Sequence, residues 1–302
     1  MIQFIRDTLN ENYYYAKARW IVRYHQVRSR GKPPIVVYQM GKVGSSTVVT
    51  SLKALSLDRP IYHIHTLTEE GIADGEKIYE DIYRGRPRKF SRMSHLLASR
   101  YLRKELAKGV TGGKWKVITL VREPITRNVS DFFQLLDWWL PGFTTRYKAR
   151  GARIDEAIAV FLEKYRYHNE PLTWLDIELK QACDVDVFVK EFPKAKGYDI
   201  YNGKQVEVLL LKLEQLDQCA SEAVREFLGV KHFRLIKANV SDEKEYGTAY
   251  KDFVNALVLP EAYLTKMYNS KYARHFYSDE ELDRFRWKWC KPLRSCLGDS
   301  RS

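Results

Sequence analysis

Two stretches carry residues suited to holding anions. The first, VVYQMGKVGSSTVVTSLKAL at 36–55, runs from an apolar segment into a glycine turn bearing Lys42, then into hydroxyls that open a helix. In α/β folds, ligands bind where strand carboxyl ends meet helix amino ends. Gly41 and Gly44 permit tight turns. The N–H groups that open a helix, at its positive dipole end, suit a phosphate. Ser45, Ser46 and Thr47 add hydroxyl donors, and Lys42 adds a mobile cation. The triphosphate-binding pattern G-x-x-x-x-G-K-[ST] is not met: Val43 stands where its magnesium-binding hydroxyl belongs, and Val36 where its first glycine belongs. The second stretch, VITLVREPITRNVSDFFQ at 117–134, ends an apolar run with Arg122 and carries Ser130 eight residues later. Arg127 lies one turn before Ser130 on a similar face. Two anion sites at neighbouring strand ends fit a ligand with two separated phosphates. The ordinary alternative for Arg122 is an ion pair with Glu123 or another carboxylate.

The elements that must position these residues follow from the hydrophobic pattern. IVVY at 35–38, RPIYHIHTL at 59–67, GGKWKVITLVRE at 112–123 and VEVLLLKLE at 206–214 read as strands bounded by turn signals. Ser45–Leu57, Ser91–Lys108, a segment opened by Pro124, and 219–230 ended by Gly229 read as helices. Strands alternating with helices imply a mainly parallel sheet, and near-continuous apolar strands imply cover on both faces. Residues 1–30 read as a basic amphipathic helix that docks on the body of the protein or lies on an anionic membrane surface. Residues 31–302 read as a single α/β domain with a helical, aromatic-rich insertion at about 137–200.

The 302 residues and formal net charge of +13 bound the function. Such a chain can build a sizeable core, and its charge favours anionic partners. No apolar run is long enough to span a bilayer, and charges come too early for a secretory signal. Cys183, Cys219, Cys290 and Cys296 are too scattered for a disulfide framework and lack zinc-ligand spacing, so no metal is expected. A cytoplasmic protein, peripheral to a membrane if residues 1–30 dock there, is the expectation. No nucleic-acid module is visible, so no nucleic-acid partner is expected.

The paired motifs resemble those of sulfotransferases that use 3′-phosphoadenosine-5′-phosphosulfate (PAPS). The family's 5′-phosphosulfate loop has the form K-x-G-[ST]-[ST], matched here by Lys42-Val43-Gly44-Ser45-Ser46; its 3′-phosphate site has an arginine at a strand end and a serine eight residues on, matched by Arg122 and Ser130. LLLKLEQLDQCASEAVREFLGV at 209–230 is similar to the family's strand, E-x-L and FLG-ending helix. KVGSS is similar in wording to carbohydrate enzymes of the heparan sulfate 2-O type. HFYSDEELDRF at 275–285 resembles bacterial capsular polysaccharide synthesis proteins. Two features depart from the pattern: Gly41 replaces the proline common before the lysine, and there is no clear R-K-G motif, for which Lys237 is a substitute.

The resemblance implies α/β architecture: a P-loop-type parallel sheet flanked by helices, with a helical insertion and helical N- and C-terminal segments. It implies an enzyme that moves a sulfuryl group from PAPS to an acceptor hydroxyl, releasing adenosine 3′,5′-bisphosphate. The partners are this anionic nucleotide donor and a carbohydrate acceptor. Lys42 would stabilise the leaving group, with Val43, Gly44, Ser45, Ser46 and Thr47 forming the 5′-phosphate loop. Arg122 and Ser130 would hold the 3′-phosphate, and Ser130 would restrain Lys42 until acceptor binds. The acceptor must lose a proton, for which a histidine within hydrogen-bond reach is the common solution. His63 and His65 lie two apart, on one face of the second strand; His65, nearer its carboxyl end, is preferred. Asp176 and Glu178 are rivals, with a solvated helix face as their ordinary reading. Trp138, Trp139, Phe143, Tyr147 and Trp174, with Arg146, Lys148, Arg150 and Arg153, could grip an anionic sugar or simply build core and surface. The competing functions are an atypical P-loop kinase and a non-catalytic polysaccharide-assembly protein.

Overall fold

The computed structural model describes Trp20, Tyr24 and residues 32–84, 90–110, 112–236 and 246–290, with backbone alone at 90–93. In chain order the elements are β1 (Ile35–Tyr38), α1 (Ser45–Ala54), β2 (Ile61–Ile64), α2 (Glu69–Tyr83), α3 (Phe90–Ala107), β3 (Trp115–Val121) and α4 (Pro124–Gln134). There follow α5 (Leu136–Trp139), α6 (Phe143–Lys148), α7 (Ile154–Glu163), α8 (Glu170–Trp174), a π-helical turn at Leu175–Lys180, and α9 (Gln181–Cys183). Next come β4 (Tyr198–Asn202), β5 (Val206–Lys212), α10 (Leu216–Leu228), α11 (Gly247–Ala256), α12 (Glu261–Tyr268), α13 (Lys271–Phe276) and α14 (Asp279–Cys290). The architecture is mixed α/β. The chain divides into two compact units: Met1–Arg122 with Thr173–Asn239, and Glu123–Leu172 with Val240–Ser302.

The first unit holds a five-stranded sheet in the order β2-β1-β3-β5-β4. β2, β1, β3 and β5 run parallel, while β4 pairs antiparallel with β5. All of β1 is buried, and in β3 and β5 only Lys116 and Glu207 escape full burial. That is the expected burial of a parallel sheet covered on both faces. α1, α3 and α10 pack against its strands. From β1 the chain steps to β2 on one side and later to β3 on the other. The carboxyl ends of β1 and β3 are therefore a topological switch point, where open α/β sheets form their ligand crevice.

Two boundaries differ from the sequence pattern. The end of the expected helical insertion, residues 198–200, instead belongs to edge strand β4, Tyr198–Asn202. Its alternation is short, with Tyr198 and Tyr201 buried and Asn202 exposed, and five residues give little periodicity to separate strand from helix. β2 is only four residues long, so His65 lies just past its end. The proposed helix at 1–30 lies outside the described residues, apart from Trp20 and Tyr24, which are helical and stacked 5.3 Å apart. Lys237 and Cys296 also lie outside them. No helix among the described residues is long and apolar enough to cross a membrane.

The second unit has an aromatic core. Phe132 and Phe133 of α4 are almost wholly buried. Phe132 meets Phe161 at 5.4 Å and Phe133 meets Phe253 at 5.0 Å, both edge-on, the favoured arrangement for quadrupolar rings. α4 starts with proline at its first turn, and Glu123 caps it by accepting from the backbone N–H groups of Ile125 (2.8 Å) and Thr126 (2.7 Å). Tyr268 donates to the same carboxylate at 2.9 Å. Glu123 is thus an N-cap.

Candidate functional site

The loop between β1 and α1 gathers most of the candidate residues. Lys42 and Gly44 take left-handed backbone conformations, with φ of 72° and 84°. Gly41 does not, so the sharp turn falls on the lysine. At Gly44 a side chain would be strained by backbone and space alike: a Cβ there would lie 2.5 Å from Leu213 Cδ1. Val43 is fully buried, so the position of a magnesium-binding hydroxyl is filled by a core side chain. The first turn of α1 carries no acidic residue, and its N-cap, Gly44, has no side chain to bond its N–H groups. Ser45 is buried at this turn, with Ser46 and Thr47 half-buried beside it. Arg122, leaving β3, donates from Nη1 to the Lys42 carbonyl oxygen at 2.7 Å. This bond braces the loop from the neighbouring strand.

Two histidines of the predicted set reach this loop. His63 Nε2 lies 3.0 Å from Ser45 Oγ and 3.1 Å from Gln39 Nε2. Burial, then the neighbouring His65, His95 and Lys53, push its pKa down to about 2. His65 Nδ1 lies 3.0 Å from the Gln39 backbone oxygen. A carbonyl only accepts, so Nδ1 carries a hydrogen, and in the neutral ring Nε2 then carries the lone pair. The indole of buried Trp174 donates to the His65 carbonyl at 3.1 Å, holding the main chain from the other side. A third imidazole, His95 of α3, completes a cluster with ring centroids 4.8 Å from His63 and 5.2 Å from His65.

Glu178 holds the chain just beyond His65. It is buried rather than on a solvated helix face. Its carboxylate accepts from Leu67 N (2.8 Å), Thr68 N (3.1 Å), Thr68 Oγ1 (2.6 Å) and the Tyr38 hydroxyl. Burial, then Glu178, hold the Tyr38 phenol well above its ordinary pKa. Room for the carboxylate depends on Gly71, where a Cβ would lie 1.7 Å from Glu178 Oε1. Glu178 therefore ties the end of β1 to the segment after β2, the two places that carry Lys42 and His65. Neither Glu178's role nor those of Gln39 and His95 stands out from sequence spacing. The one available signal was WLDIELK, where an acid is flanked by Leu175 and Leu179, both buried.

Most of the remaining candidates belong to the second unit. Ser130 lies on α4 and is buried. Arg127, on the same helix, is sealed within its own unit. It donates to Glu170 at 2.6 Å and Asn128 Oδ1 at 3.2 Å, with Asp131 3.9 Å away. Burial alone would lower its pKa, but Glu170 and Asp131 reverse that and raise it. Arg127 is thus a structural cation, not an anion grip. Phe143 is core, Trp139 packs on Phe132 and Tyr165, and the Tyr147 hydroxyl donates to Asp252 at 2.6 Å. Arg146 and Arg153 pair with Glu156 and Asp155 at 3.3 and 2.7 Å. In the first unit, Trp174 is core rather than a surface for stacking sugars.

Residues 155–278 match a protein family described as "Putative capsular polysaccharide synthesis protein". The matched segment includes Trp174 and Glu178 but none of Lys42–Thr47, His63, His65, Arg122 or Ser130. No curated protein and no solved structure matches the chain.

Proposed function

We propose that this protein transfers a sulfuryl group from PAPS to a carbohydrate hydroxyl during polysaccharide assembly. The carrying observation is the loop at the sheet's switch point: a lysine, an uncapped helix start with three successive hydroxyls, and histidines within reach, braced by Arg122. The family match supports the polysaccharide context, and the resemblance of the loop and Arg122/Ser130 supports the donor.

A bound phosphosulfate supplies an activated sulfuryl group whose departure leaves charge on the bridging oxygen. Lys42 would offset that charge, and preorganised groups of this kind are usually the largest single catalytic contribution. The N–H groups of Ser45 and Ser46, with the hydroxyls of Ser45, Ser46 and Thr47, hold the 5′-phosphate. Arg122, which braces the loop at the Lys42 carbonyl, would hold the 3′-phosphate, as the resemblance implies. His65 takes the acceptor proton on Nε2, the nitrogen that holds the lone pair in the neutral ring when Nδ1–H faces the Gln39 carbonyl. His63, with a pKa near 2, is too weak a base for neutral pH and serves to orient Ser45.

Transfer of labelled sulfate from PAPS to a panel of bacterial and animal polysaccharides tests this reading. Stabilisation by adenosine 3′,5′-bisphosphate in the presence of EDTA supports it, whereas a response only to Mg–ATP assigns a kinase. Because the matched family segment excludes the loop, a second reading stands: a non-catalytic assembly protein on the same fold. Nucleotide binding without transfer to any acceptor would favour it.

A further inference from the structure

We propose that His63, His65 and His95 form a binding site for a divalent transition metal of the zinc type. Their candidate ligand nitrogens all lie within 4.8 Å of one another. Around tetrahedral zinc, with Zn–N of roughly 2.0–2.1 Å, such nitrogens sit about 3.4 Å apart. Side-chain rotations that close the gap by about 1.4 Å would therefore complete the site. The three ligands come from elements already packed together, since α3 lies against β2.

Two further features support a ligand here. The Gln39 carbonyl takes the Nδ1 hydrogen of His65. Metal-bound histidines are commonly oriented this way, with the other ring N–H given to a carbonyl. Gln39 is itself fully buried, with its side-chain amide against both His63 and His65. The ligand set is three imidazoles, which suits zinc, cobalt or copper over magnesium or calcium. Three protein ligands also leave one position open.

The site shares His63 and His65 with the proposed reaction but does not rest on it. An ion on His65 Nε2 would withdraw that nitrogen from proton transfer, so the two roles exclude each other at any one moment. Metal binding can be read without donor or acceptor, so its failure leaves sulfuryl transfer untouched.

The experiment is titration of untagged, EDTA-treated full-length protein with Co²⁺, followed by visible absorption, with competition by Zn²⁺. The expected result is one Co²⁺ per chain, with the intense bands of a four- or five-coordinate nitrogen site, displaced by Zn²⁺. His95→Ala and His95→Gln should each weaken binding by at least about tenfold, as loss of a ligand must exceed the effect of an outer-shell change. His232→Ala, at an exposed histidine elsewhere, should leave it unchanged. Circular dichroism identifies which His95 variant retains the fold and is to be scored. Absence of stoichiometric binding, or equal affinity in the folded His95 variant, overturns the proposal.

Discussion

Two histidines, one in each unit, give a ring N–H to a backbone carbonyl, and they differ in what surrounds the rest of the ring. His168 in the second unit faces the Phe161 oxygen with Nε2 at 3.0 Å, and its Nδ1 accepts from the Tyr263 hydroxyl at 2.8 Å. Its ring is committed at both nitrogens to holding structure. His65 in the first unit faces the Gln39 carbonyl in the same manner, but its ring lies against two other imidazoles beside a cationic loop. The buried ions of the two units contrast similarly. Arg127 is neutralised by opposite charge, chiefly Glu170, whereas Glu178 is held by backbone N–H groups and hydroxyls. A carboxylate satisfied by neutral donors fixes the backbone that supplies them. The first unit thus holds its buried ion through neutral donors that fix the backbone, the second through opposite charge.

Breaking the Glu178 tie should give the largest effect. Glu178→Ala strands the N–H groups of Leu67 and Thr68 and the Tyr38 hydroxyl, at about 1–3 kcal/mol for each buried donor left unmet. With partial relaxation, a loss of about 3–5 kcal/mol is expected in urea unfolding at neutral pH. A loss below about 1 kcal/mol would show that these donors find other partners. Next is Lys42→Gly, which separates function from stability. Transfer from PAPS should fall by about 10²–10³-fold. The fold should gain up to about 1 kcal/mol, since glycine accepts a φ of 72° without the cost an ordinary residue bears. Undiminished turnover would remove Lys42 from the mechanism. Arg127→Met should then cost about 2–3 kcal/mol of stability, less than a fully buried pair because the Glu170 side chain is 32% exposed and can hydrate. Affinity for adenosine 3′,5′-bisphosphate should not change in the folded variant; a marked loss would return Arg127 to the anion site.

The parallel sheet was legible because β1, β3 and β5 are continuous apolar runs, and the loop because glycine, lysine and successive hydroxyls follow such a run directly. His63 and His65 were legible as a pair because the two-residue period of a strand sets them on one face. His95 was not: it comes from a helix some thirty residues further on, and only the packing of α3 against β2 brings it in. Glu178 was misread because a π-helical turn departs from the 3.6-residue period that sorts buried from solvated positions. Gln39 carries no spacing signal at all. Its importance lies in a backbone carbonyl, which every residue has. Arg127 looked like a companion of Ser130 by helical spacing, but its carboxylate partner Glu170 lies far along the sequence.

The smallest effect tests the histidine contrast itself. Burial, only partly offset by the Phe161 carbonyl, lowers the His168 pKa, and Lys266 lowers it further. In the unfolded chain the ring should titrate near the ordinary value of about 6.5. A folded value below the unfolded one means the unfolded state binds the proton more readily. The stability His168 contributes is therefore complete above about pH 6.5 and is lost as pH falls through that value toward the folded pKa. Protonation also places a hydrogen on Nδ1, where the Tyr263 hydroxyl now donates. Between pH 6.5 and 5.5 the wild-type protein should lose stability from this group, by at most about 1 kcal/mol. His168→Gln keeps a donor and an acceptor at the site without titrating, so its unfolding free energy should fall less across the same window, measured in urea with EDTA present. The other titrating histidines contribute equally to both proteins, and the difference between the two slopes isolates His168. Equal slopes would mean that the Tyr263 contact yields to the proton without cost, and His168 would then be no more committed to structure than His65.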